Sequence, residues 1–338
     1  MREVAWIRRL ALIGAVLCLG VVVLGGYTRL SNSGLGCPDW PGCFGHIAPT
    51  GNAEHYATDL DVRKAWVEMI HRYFASTLGL LCVVIAVLSI RARRERGVKV
   101  GLAVFLVPLV VFQGMLGMWT VTWLLKPLVV TGHLLGGLTT FALLLWLWLS
   151  MRARTKSVDG HSVLAGNTLV ESGSRARLFA GLALAALAIQ IFLGGWTSSN
   201  YAAVACPDFP QCQAQWVPEA DYQDAFVLWR GLGINYAGGV LDHPARVAIH
   251  FTHRVGAVVA SLLLLLAVFF SARGLGSGPR WAGFWVVAAL AFQISIAVYM
   301  VLRAFPLELA AAHNAGAALL VAATVYLNRK LRPIHDFR

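Results

Sequence analysis

The sequence predicts an all-α polytopic membrane protein, with eight transmembrane helices arranged as two parallel four-helix repeats. Hydrophobic residues make up 58% of the 338 residues and charged residues 13%, and the mean hydropathy is +0.67. That balance is too apolar for a soluble domain. The chain also holds eight apolar runs, each of about 20 residues, enough to cross a hydrocarbon core roughly 30 Å thick. Finally, two segments match at a constant offset of 169 residues: Gly25-Gly26-Tyr27-Thr28 through Cys37-Pro38-Asp39-Trp40-Pro41-Gly42-Cys43, and Gly194-Gly195-Trp196-Thr197 through Cys206-Pro207-Asp208-Phe209-Pro210-Gln211-Cys212.

In chain order the runs lie near 10–28, 65–90, 100–123, 128–150, 178–197, 246–271, 281–302 and 307–327. A backbone in lipid must satisfy its own hydrogen bonds, so uninterrupted runs of this length are helices. Four spans precede the second copy of the matched segment, and four is even, so both halves enter the membrane in the same direction. The halves are 1–150 and 178–338, joined by a linker over 151–177.

The net charge of +12 raises the question of nucleic acid, and the placement of the charge answers it. Nineteen of the 28 Lys and Arg fall at the two ends and in every second loop: the amino terminus with Arg8-Arg9, Arg91 to Lys99, Arg152 to Arg177, Arg273 with Arg280, and Arg329 to Arg338. This positive-inside pattern puts both termini in the cytoplasm and predicts no nucleic-acid partner. The first run is too long for a cleavable signal, and no Arg- and Ser-rich transit segment precedes it, which favours a bacterial inner membrane. The long loops 29–64 and 198–245 then lie outside.

Of six cysteines, Cys18 and Cys82 sit inside helices as small apolar residues. Cys37 with Cys43, and Cys206 with Cys212, each bracket a short proline-containing loop. In an oxidising periplasm such pairs read as disulfides that stiffen a lid; zinc is disfavoured because no matching histidine pair accompanies them. A redox role is the sharper alternative.

Four histidines sit at matched places. Aligning Phe112-Gln113 on Phe292-Gln293 puts His133 on His313, and His71-Arg72 falls on His253-Arg254. Each lies about six residues into a span that runs inward, roughly 9 Å below the outer boundary at 1.5 Å per residue. A single membrane histidine is more often an interhelical hydrogen-bonding group. Four at one depth point to two bis-imidazole iron–porphyrin sites, with the ligand pairs formed either within or across the halves. Gly132, Gly136, Gly137 and Gly316, with Ala310 to Ala312, leave room for a flat macrocycle or for close helix packing.

Glu68 precedes His71 by three residues, on the same helical face, whereas the matching position before His253 is His250. The asymmetry suggests that one half does chemistry and the other holds a cofactor; the structural alternative is a local ion pair of Glu68 with Arg72 or Arg63. Arg72 and Arg254 suit haem propionates through charge-assisted bonds, or else snorkel to headgroups.

The stretches Gly25 to Ser31 with Gly34 and Cys37-Pro38-Asp39-Trp40, Glu68-Met69-Ile70-His71-Arg72, Thr131-Gly132-His133, Asn235 to His253-Arg254, and His313-Asn314 resemble the haem A synthase family, from about residue 10 to 327. The resemblance implies oxidation of one methyl of haem O to a formyl group, giving haem A for cytochrome oxidase. It implies His71 and His133 around the substrate haem, His253 and His313 on a haem b, and Glu68 as the catalytic carboxylate. Two successive oxidations would give an alcohol and then a geminal diol that loses water. Implied partners are a haem O-supplying farnesyltransferase and an electron acceptor, with a homo-oligomer open.

Two rival classes are a bis-histidine membrane cytochrome b and a haem transporter. Electron transfer across a membrane needs haems near both faces, yet these four histidines share one side. A transporter would place polar groups beside broken helices at mid-depth. The loop from Gln213 to Asp242, carrying Trp216, Trp229 and Tyr236, either guides a greasy substrate at the bilayer surface or forms an aromatic belt.

Overall fold

The computed structural model describes residues 2–49, 58–95, 97–151, 166–273 and 276–332. Its elements in chain order are α1 (Arg2–Leu30), α2 (Asp59–Arg91), α3 (Val100–Thr122), α4 (Pro127–Ser150), α5 (Gly166–Ser199), a 3₁₀ turn (Ala203–Ala205), α6 (Tyr222–Ala225), α7 (His243–Ala272), α8 (Ser277–Leu302) and α9 (Leu307–Leu331). All but α6 and the 3₁₀ turn are long and apolar enough to cross a membrane, eight spans among the described residues. The chain is an all-helical, multi-pass membrane protein.

Local chemistry sets the helix starts. The Thr58 hydroxyl accepts from the Asp61 N–H and caps α2, while proline in the first turn opens α4 and α7, where a missing N–H costs nothing. The helices also overrun the apolar stretches. Ile7 on α1 is buried, and α5 begins at Gly166 rather than 178, because a helix continues past the lipid boundary while its ends are solvated. Much of the predicted 151–177 linker, with Arg152 to Lys156, lies outside the described residues, as does the tail from 333.

Packing closes two rings. α1 touches α2 and α4, and α3 touches α2 and α4; α5 touches α7 and α9, and α8 touches α7 and α9. The rings meet along α1, α4, α5 and α9. Small residues permit that approach: a Cβ on Gly26 would stand 2.1 Å from Asn314 Nδ2, and one on Gly195 would stand 3.1 Å from Thr131 Cγ2. Asn314 Nδ2 donates across the seam to the Val22 carbonyl at 3.2 Å, a bond worth about 0.6 kcal/mol in a membrane.

The main apolar core occupies the end away from the long loops. It includes Ile7 and Ala11 on α1, Cys82 and Ile85 on α2, Leu144 and Leu147 on α4, and Leu327 on α9. The polar and ligand-type side chains gather toward the loop end. There, backbone geometry matches in pairs. Asn32 and Tyr201 share φ of 54° and 55°, Phe44 and Gln213 share 52° and 55°, and Leu124-Leu125 and Ala304-Phe305 all have positive φ.

Candidate functional site

In the first ring α2 and α4 stand opposite each other, and they carry His71 and His133. The two imidazoles face across the bundle with centroids 6.3 Å apart and planes at 84°. A metal–imidazole bond of about 2 Å, plus about 1 Å from nitrogen to ring centre, predicts roughly 6 Å for two rings on one metal. The spacing fits a bis-imidazole iron. Both rings pack against glycine on the flanking helices: a Cβ on Gly25 would be 2.8 Å from His71 Cε1, and one on Gly117 would be 3.4 Å from His133 Cε1.

The second ring repeats the plan with His253 on α7 and His313 on α9, again opposite members. A Cβ on Gly194 would stand 3.1 Å from His253 Cε1. The Nδ1 atoms of His71, His133 and His313 are buried, each ring beside a backbone acceptor, Val21, Gln113 and Gln293 in turn, which suits the Nδ1 proton of an imidazole that binds metal through Nε2. The donor set and its spacing therefore fit haem in the first ring, and the same residue plan recurs in the second.

Gly136 and Gly316 serve neighbours that the sequence did not single out. A Cβ on Gly136 would stand 1.7 Å from Gln113 Nε2, and one on Gly316 would stand 2.2 Å from Gln293 Oε1. The space they open is taken up by the two carboxamides, and Gln293 Nε2 lies 3.3 Å from His313 Nε2. Their matched positions, used only to align the halves, were the available signal.

Glu68 is 4% exposed. Its Oε2 accepts from the Cys37 backbone N–H at 3.0 Å, and its Oε1 accepts from Arg72 Nη2 at 2.5 Å. The local ion pair considered from sequence is thus present, together with a backbone donor from the loop. Arg72 Nη1 also donates to the carbonyls of Asp39 at 2.9 Å, Pro41 at 3.2 Å and Gly42 at 2.5 Å. Arg254 does the same for the other loop, donating to Gln211 at 2.7 Å and Cys206 at 2.9 Å, while its Nε meets His250 Nε2 at 3.2 Å. Both arginines are spent on the loops rather than left free toward a propionate.

Those loops are closed by Cys37–Cys43 and Cys206–Cys212 disulfides, with Cα separations of 4.9 and 4.7 Å. Asp39 accepts from the N–H groups of Phe44 and Gly45, and Asp208 from those of Gln213 and Ala214. Burial would raise the Asp39 carboxyl, but the Gly45 and Phe44 donors and the Arg72 charge outweigh it and hold it below its ordinary value. Asp208 is lowered in the same way by Ala214, Gln213 and Arg254. Cys37 and Cys43 pack on Ala65 and Met69 of α2, and Cys206 and Cys212 on Val247 of α7.

The loop from Gln213 to Asp242 reaches back onto the first ring. Trp229 lies under the Lys126 ammonium, 3.5 Å from ring centre to nitrogen, and edge-on to Trp123; Lys126 also donates to the Gly231 carbonyl. Tyr236 N–H donates to the Leu124 carbonyl at 3.1 Å, whereas Trp216 stays exposed. Of the three aromatics considered from sequence, Trp229 and Tyr236 therefore bind the loop to the α3–α4 turn.

Fold and site together define a class: an eight-span membrane protein with two opposed histidine pairs and a buried carboxylate beside one of them. The chain belongs to the COX15-CtaA family, described as cytochrome oxidase assembly protein, which it matches over residues 8–325. It is 42% identical to the haem A synthase of Shewanella oneidensis over 340 residues, covering 96% of each chain. It is 28% identical to that of Rhizorhabdus wittichii, covering 95% of this chain and 92% of the relative, and 27% identical to that of Caulobacter vibrioides, covering 94% of each.

Proposed function

We propose that this protein is a haem A synthase, which oxidises one methyl group of haem O to a formyl group and so supplies haem A for cytochrome oxidase assembly. The observation that carries this is the 6.3 Å spacing of His71 and His133, with Glu68 one turn nearer the disulfide loop. In this reading the half over 1–150 takes haem O between His71 and His133. The half over 178–338 holds haem b between His253 and His313, and 151–177 connects them. Haem b, when bound, relays electrons.

Two oxidations at the methyl carbon give an alcohol and then a geminal diol, which loses water. Glu68 is suited to accept protons, or to stabilise positive charge developing on that carbon, because Arg72 and the Cys37 N–H hold its two oxygens in place. Arg72 and Arg254 act through the loops they fasten, and they reach propionates only if loop contacts are exchanged for them. The loops and both haem sites lie toward the periplasmic face of a bacterial inner membrane, with both termini cytoplasmic. A haem O-producing farnesyltransferase, an electron acceptor and a second copy of the chain are the partners this role calls for.

The test is co-production with a source of haem O and analysis of extracted haems by mass spectrometry. Wild type makes haem A, while Glu68→Ala makes little and keeps haem b; removing a positioned acid–base group lowers rates by about 10²–10⁴-fold. A wild-type extract containing haem O and haem b alone rejects the activity and favours a cytochrome. Full activity in Glu68→Ala removes the carboxylate from the chemistry.

A further inference from the structure

Both disulfide loops present bare apolar side chains at matched positions of the 169-residue repeat. Trp40 and Phe209 are exposed, Ile47 is 85% exposed and its counterpart Trp216 is 69% exposed, with Val217 beside it at 77%. A single exposed apolar residue needs no explanation, but the same places left apolar and bare in two copies point to a partner. Charge is distributed to match. From Cys37 to Ala48 the one carboxylate is Asp39 and the one other ionisable group is His46; from Cys206 to Val217 the one charged residue is Asp208. Both carboxylates are taken up by backbone N–H groups of their own loops. The segment that follows, Pro218 to Asp242, instead carries Glu219, Asp221, Asp224, Arg230 and Asp242.

The loops also reach down the flanks of the spans. The Ile47 carbonyl accepts from the Tyr73 hydroxyl at 2.5 Å, and Tyr73 lies two residues beyond His71 on inward-running α2. A tyrosine on a helix leans toward the helix N-terminus, here the outer end. The loop tip therefore stands beside the turn that carries Glu68 and His71, below the start of the apolar stretch at 65. Tyr73 belongs to an exposed stripe of α2, with Trp66, Ile70 and Phe74 at helical spacing. On a membrane span such a stripe faces lipid, and Ile47 continues it. In the second half Arg254, one residue beyond His253, donates to the Gln211 carbonyl at 2.7 Å and lies 6.0 Å from the Phe209 ring centre, which sets that loop at the matching depth.

We propose that both disulfide loops dip into the adjacent leaflet, with Ile47 and Trp216-Val217 inserted at the boundary between headgroups and acyl chains. The partner is the lipid bilayer, and the inference goes beyond the haem reading without resting on it. Tryptophan favours that boundary, and apolar tips gain by leaving water there. Asp39 and Asp208 stay at headgroup level beside Arg72 and Arg254, whose long stems let their charged ends reach it. Seated this way, the base of the first loop, where Cys37 meets Glu68, is held at the membrane edge rather than in open water.

The experiment places photoreactive benzoylphenylalanine at Ile47 or Trp216 in the full chain, reconstituted in vesicles of phosphatidylethanolamine and phosphatidylglycerol, and identifies the adducts by mass spectrometry. Leu262, exposed on the flank of α7, is the lipid control, and Glu219 is the water control. Lipid adducts at Ile47 and Trp216 are expected to be comparable with those at Leu262 and several-fold above those at Glu219. Adduct levels no higher than at Glu219 overturn the proposal, as do adducts mainly to a second polypeptide, which would make the tips a protein interface. Lipid adducts at one tip alone reject it for the other loop. Trp40 replaces Ile47, and Val217 replaces Trp216, where a variant does not fold.

Discussion

The backbone N–H of Cys37 donates to Oε2 of Glu68 at 3.0 Å, so a disulfide-bonded residue of the outer loop touches the buried carboxylate directly. Closing so short a loop constrains the unfolded chain by about 2 kcal/mol, and here the constraint also aims one donor. Replacing Cys37 and Cys43 together by serine should lower haem A output while leaving haem b bound. Among the described residues the Cys206/Cys212 pair has no such hydrogen bond to a buried carboxylate, and its serine variant should affect haem b retention more than turnover. Haem extraction and mass spectrometry on both variants read the difference; equal loss of haem A in the two would sever the link between Cys37 and Glu68.

Arg72 holds Glu68 and three loop carbonyls at once, with side chains of Arg72 and Glu68 only 11% and 6% exposed. Breaking such a pair leaves a buried charge unmatched and costs about 3 kcal/mol. Arg72→Leu should therefore destabilise the protein by that order, and adding Glu68→Gln should recover part of it. Thermal unfolding in detergent, run as a double-mutant cycle, measures the coupling. Strictly additive losses would show that Arg72 works through the loop carbonyls alone.

The sequence made the spans, the four histidines, Glu68 and the cysteine pairs legible, because each is written in local spacing: apolar runs of membrane length, a 169-residue offset, a three-residue step on one helical face. What it concealed depends on which helices meet. Gly25 and Gly194 are legible as matched positions, but their role shows only when α1 and α5 are packed against His71 and His253. Gln190 looks like a stray polar residue in an apolar helix until Gly256 of α7 is opposite it. The arginines were misleading for the same reason, since the loop carbonyls that occupy Arg72, those of Asp39, Pro41 and Gly42, come from thirty or more residues away in sequence.

Glycine substitutions test the histidine sites separately. Gly25→Ala places a methyl 2.8 Å from His71 Cε1, closer than contact allows, so the ring must move; Gly194→Ala places one 3.1 Å from His253, where a few tenths of an ångström suffice. Misplacing a substrate-holding group costs on the order of tenfold to a hundredfold in rate. Gly25→Ala should therefore cut haem A formation sharply with haem b intact, whereas Gly194→Ala should chiefly alter the haem b spectrum. Gly20→Ala, with nothing within 4 Å of the added carbon, is the control and should behave as wild type.

Asp39 and Asp208 give the loops a pH dependence of predictable sign. Each carboxylate is held below its ordinary value, with the backbone donors Gly45 and Phe44, or Ala214 and Gln213, outweighing burial. A lowered folded value means that the ionised form favours the closed loop. Its contribution is fully present above the unfolded value of about 3.9 and is lost as pH falls through the lower, folded value. The disulfides should accordingly resist a phosphine reductant equally at pH 7 and pH 5, and yield faster only below about pH 4. Asp39→Ala should make Cys37–Cys43 fast at every pH while leaving Cys206–Cys212 unchanged, which peptide mapping of the labelled thiols resolves. A wild-type reduction rate that already climbs between pH 7 and pH 5 would mean that some other group governs loop opening.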